Sequence, residues 1–488
     1  MIQSSWGAVD VNSIIFPTEN GQWLAADLFK PKSATKNKPA PLVVIVSGFQ
    51  RSKESLSNIS LELARRGLNV ISIDPYAQGA SSSSMSRMAA TDEGYGMFAV
   101  IDYVYNTDIL NYVDKNRIGV TGHSAGGNAA LKGASRFGKI ADSMGVVSKI
   151  HSVFISGYVL TLKKIFLEHV RSNMGMSYAL YDEGAFRNEL GHADMRRAPE
   201  ALRFIKSAKG NSTFEDSVII DKQYGSLENR SFRVIHNEEV LHPFQPYDRI
   251  CTANQIKFFE TVFEWDSKIN CFDQVWKWKE LFTLISFICS FLMIVPFSRL
   301  LLKSSYFSDL VQDVPNSLTK PKGDVRFIYW AVILVSGLVA CVSYIPMAEL
   351  SKVFFSKSSS RLQTWFFPQR MNNAVMLWAL LNGLIGVGLF YLSTWYLKNK
   401  KGTVINFKSI YISKTDFIKT CFLSITIFCF YYIILFFIYF LFHVDYGFLF
   451  LGVRIFRPEI LFLLFMYFPF FVIFFFSNSI RVNALMRF

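Results

Sequence analysis

Arg117-Ile-Gly-Val-Thr-Gly122-His123-Ser124-Ala125-Gly126-Gly127-Asn128 is the stretch that decides the fold. The β-rich run Arg117–Thr121 predicts a strand and Asn128–Phe137 predicts a helix, so the chain must reverse character within the few residues between them. A strand-to-helix turn that tight needs small residues at its corners. Gly122 and Gly126 supply them, and the turn then holds Ser124 exposed in a strained conformation, as the pattern G-x-S-x-G requires. A hydroxyl so placed stands at a helix N-terminus, where the backbone N–H of Ala125 can donate to an oxyanion. Ser124 is therefore the candidate nucleophile and Ala125 a candidate oxyanion-hole donor.

Working outward from the elbow, short β-branched runs alternate with helix-like segments. The runs are Pro41–Ser47, Asn69–Asp74, Arg117–Gly122, Ser152–Ser156, Met174–Tyr181 and Arg233–Leu241, with Ser55–Arg66 and Tyr95–Asn106 among the segments between them. Such alternation predicts an α/β fold, a mostly parallel sheet with helices on both faces. Ala8–Phe16, Asn20-Gly21 and Gln22–Phe29 read as a hairpin that adds an antiparallel edge.

The GHSAGG elbow in this setting resembles that of the α/β-hydrolase superfamily, in its esterase and dienelactone-hydrolase-like branch, over about Ala8–Glu264. The resemblance implies a Ser, acid, His order along the chain. It places the acid at Asp182, after the run Met174–Tyr181, with Glu183 and Asp216 as rivals. It places the general base at His242, ahead of the predicted helix Tyr247–Phe263; His236 falls within a strand and His123 is the variable position of the elbow. The second oxyanion donor is expected from Ser47-Gly48-Phe49-Gln50, where the family often carries His-Gly: the N–H of Phe49 is the first choice and Gln50 the second. Asp74-Pro-Tyr-Ala-Gln-Gly79-Ala-Ser81 resembles a structural turn of the family. Val159–Asn173 and Glu183–Phe232, the latter with Phe186, Met195, Arg196 and Arg197, are long enough to be lids or plain excursions.

After Trp276 the pattern changes. Leu281–Phe297, Phe327–Ala348, Ala374–Leu397, Thr420–Phe442 and Ile460–Ser477 contain no Asp, Glu, Lys or Arg, and about 20 such residues cross a bilayer as a helix. Five transmembrane helices are expected, giving two domains, 1–267 and 268–488, the second an all-α transmembrane bundle. Trp276, Trp278, Tyr329, Trp330, Trp365, Trp395 and Tyr396 lie at run ends, as an interfacial aromatic belt would. Gly383, Gly386 and Gly388 suggest close helix packing. The runs hold no ionisable side chain, which argues for an anchor rather than a transporter.

Charge divides the same way. The chain carries a formal net charge of +14, yet residues 1–267 hold 29 Lys/Arg against 28 Asp/Glu and the remainder holds 22 against 9. The surplus sits in loops between apolar runs, which excludes a nucleic-acid partner and implies a lipid bilayer. One loop face carries 13 Lys/Arg and the face shared with the soluble half carries 9. The positive-inside rule thus puts the soluble half on the outer face of the cell membrane. Met1–Asn12 lacks the cationic start and apolar core of a signal peptide, which by itself points to the cytoplasm. The opening Ile2–Val11 resembles the segment that follows an N-terminal transmembrane helix in similar bacterial membrane-fused hydrolases, so a sixth helix would reconcile the two.

The expected activity is that of an integral-membrane serine hydrolase acting on an ester or related acyl bond of a small molecule, lipid or peptide. Acyltransferase and peptidase remain open with the same triad, as does a permease or sensor with a non-catalytic hydrolase-like domain. The scattered Cys and the absence of a P-loop or dinucleotide fingerprint predict no metal and no cofactor.

Overall fold

A computed structural model of the chain describes all residues except 19–20, 209–215, 314–321, 361, 402–411, 449–451, 456–457 and 483–488. Nine strands form one sheet: β1 Val9–Pro17, β2 Trp23–Pro31, β3 Ala40–Val46, β4 Asn69–Ile73, β5 Val113–His123, β6 Ser152–Ser156, β7 Asn173–Ser177, β8 Gln223–Tyr224 and β9 Arg233–His236, in the order β1-β2-β4-β3-β5-β6-β7-β9-β8. The central six, β4-β3-β5-β6-β7-β9, are parallel; β1, β2 and β8 run antiparallel at the edges. The predicted hairpin is present as β1 and β2, with Ile14 opposite Ala26. Asn20 of its expected turn lies outside the described residues.

β3 explains why the sheet needs helices on both sides. Leu42 to Val46 have no exposed surface, so both faces of the strand must be covered. One face packs Val44, Val46 and Val120 against α2 (Met97–Asn106) and α3 (Ala125–Met144); the other packs Val43, Ile45 and Phe154 against α1 (Ser57–Arg65) and α5 (Arg249–Val262). The short α4 (Pro199–Lys206) adds Ala201 and Phe204 to the first core.

The runs predicted as Met174–Tyr181 and Arg233–Leu241 form ladders only to Ser177 and His236. Beyond that point single bonds continue, Tyr178 N to His236 O at 3.0 Å and Leu180 N to Glu238 O at 2.7 Å. The two segments therefore leave the sheet side by side, carrying Asp182 and His242 with them.

The chain divides into two compact units, one of Met1–Ile288 with Leu435–Ile455, the other of Cys289–Ile434 with Phe456–Phe488. In the first unit the start of a long apolar helix, α6 (Trp276–Leu292), is fixed by a buried carboxylate. Glu62 Oε1 accepts from the N–H groups of Val275 and Trp276 at 2.7 and 2.9 Å, while Oε2 pairs with Arg65 and Arg66, each at 2.8 Å. A carboxylate at this end satisfies free amides and complements the helix dipole. Trp276, expected in an aromatic belt, is instead buried, with its indole N–H donating to Gln274.

Residues 435–455 join the same unit through charge. Arg454 lies 3.4 Å from Asp74, 3.6 Å from Glu54 and 3.7 Å from Asp445, and Lys53 pairs with Asp27 at 2.6 Å and Glu54 at 3.0 Å. Burial, reinforced by the charge of Glu54 and opposed by Arg454 and Lys53, pushes the Asp445 carboxyl up to about 7. A carboxyl raised above its unfolded value near 4 keeps its proton in the folded state until the pH approaches 7. Its contribution is complete at low pH and is lost as pH rises towards 7. The melting temperature of the solubilised protein is expected to fall between pH 5 and 7.5, and Asp445→Asn to flatten that fall; identical slopes would show that Asp445 does not titrate there.

Including α6, which continues after Met293 as α7 (Ile294–Leu302), five helical stretches among the described residues are long and apolar enough to cross a membrane: Trp276–Leu302, Gly323–Phe354, Arg370–Asn399, α10 (Lys414–Phe442) and Ile460–Ile480. In the second unit α8 (Gly323–Phe354) packs on α9 (Arg370–Lys401), with the Trp378 indole donating to Ala340 O at 2.8 Å, and α9 packs on α11 (Pro458–Ile480). A Cβ on Gly383 would come within 2.9 Å of the Phe474 backbone, and one on Gly386 within 2.4 Å of Ser477. Gly388 faces open space, so two of the three expected packing glycines serve that purpose.

Candidate active site

The elbow forms where β5 ends at His123 and α3 begins at Ala125. Ser124 between them has φ 57° and ψ −122°, a conformation that an L-residue holds only when its surroundings impose it. Those surroundings are tight. A Cβ on Gly126 would sit 2.1 Å from the Val46 carbonyl oxygen, and one on Gly122 would sit 2.4 Å from Gly126 backbone. Ser124 N donates to Ser156 O at 2.8 Å and Asn128 N donates to Ser124 O at 3.2 Å, which ties the turn to β6 and to the helix it opens.

The loop after β3 meets this turn at Gly48, where a Cβ would lie 3.3 Å from the Ser124 Cβ. Phe49 follows it at the surface, with 48% of its area exposed. Ala125 is the first residue of α3, where the amide has no partner within the helix.

The splayed ends of β7 and β9 bring the other two candidates together. Asp182 Oδ2 lies 3.2 Å from His242 Nδ1, within ion-pair reach but off the line of a straight hydrogen bond. Loose alignment of this kind is common in unliganded sites. Asp182 Oδ1 accepts from Gly184 N at 2.7 Å. Burial alone would raise the Asp182 carboxyl, but contacts with His242, Tyr178 and Gly184 N outweigh it and hold the group below the ordinary range. The carboxylate is thus fixed as an anion facing the imidazole. The His242 ring packs at 4.6 Å on that of His123, the residue preceding Ser124.

The rival residues occupy other settings. Glu183 and Asp216 are exposed. His236 is buried in β9 and its Nδ1 pairs with Asp221. His123 is 2% exposed; burial first, then His242 and Arg51, drive its pKa well below the usual value, leaving a neutral ring. Asp74 accepts from Lys53 N and Ala80 N at 2.8 and 2.9 Å and closes its own turn, as the sequence pattern suggested. In the long excursions Met195 is fully buried, whereas Phe186 is 70% exposed.

Two polar groups near the site were not singled out in the sequence. Arg51 follows Phe49 on the loop after β3, and Tyr247 ends the short turn that begins at His242. The only sequence cue was position: a cation three residues past Gly48 and an aromatic five residues past the histidine.

A family model described as PETase, PET hydrolase-like, matches residues 1–153, a span that includes Phe49, Ser124 and Ala125 and ends before Asp182 and His242. Over that span the chain is similar to this hydrolase family, and the strand–Ser124–helix turn in a mostly parallel sheet lies within it. Among solved structures, the chain is similar to an esterase of Pyrococcus furiosus, at 14% identity over 53% of this chain and 95% of that one, with a TM-score of 0.37. It is also similar to a dienelactone hydrolase of Klebsiella pneumoniae, at 14% identity over 53% and 98% with a TM-score of 0.35. A dipeptidyl peptidase 4 of Porphyromonas gingivalis matches at 13% identity over 52% of this chain and 36% of that one, with a TM-score of 0.36. No curated protein matches the chain.

Proposed function

We propose that the chain is an integral-membrane serine hydrolase that cleaves a carboxylic ester or related acyl bond, with Ser124 as nucleophile, His242 as general base and Asp182 as its orienting carboxylate. The observation that carries this reading is the Asp182–His242 pair beside an elbow that holds Ser124 at φ 57°. The substrate is an acyl-bearing small molecule, lipid or peptide.

In the first half-reaction the Ser124 hydroxyl loses its proton to His242 Nε2 as Oγ attacks the acyl carbon. The N–H groups of Ala125 and Phe49 bear the oxyanion. Collapse breaks the bond to the leaving alcohol, which takes the proton from His242. Water then loses a proton to His242 and attacks the acyl-enzyme, releasing the carboxylic acid and restoring Ser124. Asp182 keeps one tautomer of His242 and stabilises its cation throughout. An alcohol or amine in place of water makes the same site an acyltransferase, and an amide in place of the ester makes it a peptidase. None of these steps calls on a cofactor.

The five apolar helices support insertion in the cell membrane, and the loop charges support an outer-face position for the hydrolase half. A serine-reactive fluorophosphonate probe is expected to label the full chain in detergent, and Ser124→Ala to lose the label. An unlabelled wild-type protein would remove the proposal.

A further inference from the structure

Arg51 donates its backbone N–H to Gly48 O at 3.2 Å, in the turn that packs Gly48 on Ser124. Its guanidinium is partly buried, and Nη1 is closed off from solvent with no hydrogen-bond partner. Among the described residues it makes no ion pair. The groups whose charge bears on it are Tyr247 and His123, and neither supplies an anion near neutral pH. Tyr247 is held up to about 12, by burial first and then by Glu280, and His123 stays a neutral ring.

A buried donor left without a partner is destabilising, so one that persists calls for an acceptor. A second orphan stands nearby. The Tyr247 hydroxyl is also buried without a partner, although it too could donate. Arg51 lies on the loop of Phe49, where its charge bears on His123 beside Ser124, and Tyr247 ends the turn that begins at His242, so the two unsatisfied donors sit on the segments that carry the residues assigned to catalysis. On the same two segments Phe49, Leu241 and Phe244 are 48%, 44% and 47% exposed, and they supply the apolar rim of the subsite proposed below.

We propose that Arg51, assisted by Tyr247, forms an anion subsite on the rim of the nucleophile that selects acyl substrates carrying a carboxylate or phosphate. The inference rests on the serine-hydrolase reading and adds a substrate class to it: an amphiphile whose apolar part meets the rim and whose charge meets Arg51. The anion is supplied by a free acid or by a lipid headgroup.

The test compares ratios of kcat/KM for the full chain in detergent, because a ratio cancels any loss of folded protein. One arm uses mono-p-nitrophenyl glutarate against p-nitrophenyl valerate; the other uses dioleoyl phosphatidylglycerol against dioleoyl phosphatidylcholine in mixed micelles. Charge-assisted hydrogen bonds are worth about 1.5–3 kcal/mol. Arg51→Gln is therefore expected to lower the anionic-to-neutral ratio about 10- to 100-fold, mainly through KM, with Arg51→Lys recovering part of it. A fall in the glutarate arm assigns the subsite to free acids, and a fall in the lipid arm alone assigns it to a headgroup. Ratios unchanged in both arms overturn the subsite. If the wild type turns over none of these esters, the hydrolase reading itself fails.

Discussion

Ser124→Ala is expected to lower kcat by a factor on the order of 10⁴ to 10⁶ on any ester the protein hydrolyses, with KM little changed. The loss is large because Ala cannot form the covalent bond that divides the reaction into two steps. Asp182→Asn is expected to lower kcat on the order of 10⁴-fold: the amide keeps the shape of the carboxylate yet favours the wrong tautomer of His242 and no longer stabilises its cation. The double substitution is expected to be scarcely worse than Ser124→Ala, since residues that act as a unit are not additive. Steady-state hydrolysis of p-nitrophenyl esters measures all three. Glu183→Gln serves as the control, because that side chain is exposed and Asp182 makes the contact with His242 at 3.2 Å. A full loss in Glu183→Gln together with a mild effect in Asp182→Asn would exchange the two carboxylates.

The elbow was legible because its constraints are local. Gly122 and Gly126 are fixed by contacts of a single turn with β3, and the pattern records them within five residues. β3, β4 and β6 were legible for a similar reason, since strands buried on both faces demand uninterrupted apolar runs; β5 begins at Val113, four residues before the predicted run, a start that was not legible because Asp114–Arg117 are polar and partly buried or exposed. The ends of β7 and β9 were overextended: Tyr178–Tyr181 and Asn237–Leu241 keep some cross-bonds after the regular ladder stops, and β-propensity does not sense where two strands part. The break between α6 and α7 at Met293 lay inside a uniformly apolar run, although Pro296, in the first turn of α7, was a visible mark of it. Trp276 fitted a belt by type and position, but its burial depends on Tyr247 and Gln274, which pack against it. Arg51 was hidden for a different reason. Its interest lies in lacking a counter-ion among the described residues, and only a structure shows which charges surround a side chain.

A contact between residues far apart in the chain has the largest structural consequence. Arg454 is separated from Asp74 by 380 residues, yet it belongs to the compact unit that contains the elbow. Asp74 closes the turn to Gly79, Glu54 begins the approach to α1, and Asp27 lies in β2. Among the described residues, these acids and Asp445 form ion pairs with Lys53 and Arg454. Burial raises the Asp74 carboxyl, with Arg454 the leading opposing influence, and Arg454 also helps to hold Glu54 well below its ordinary value. Arg454→Met keeps much of the side-chain volume and removes the charge. Breaking a buried pair costs about 3–5 kcal/mol; because the Arg454 side chain keeps 29% of its surface exposed, about 2–3 kcal/mol is expected here. The substitution should lower the temperature at which the solubilised protein loses fluorophosphonate labelling. Arg454→Met with Asp445→Asn should recover part of the loss, because one unmatched acid is then neutral. An unchanged midpoint would mean that the fold of this compact unit does not depend on this counter-charge. A lowered midpoint would mean that the half bearing the chemistry is completed by the loop between the last two apolar helices.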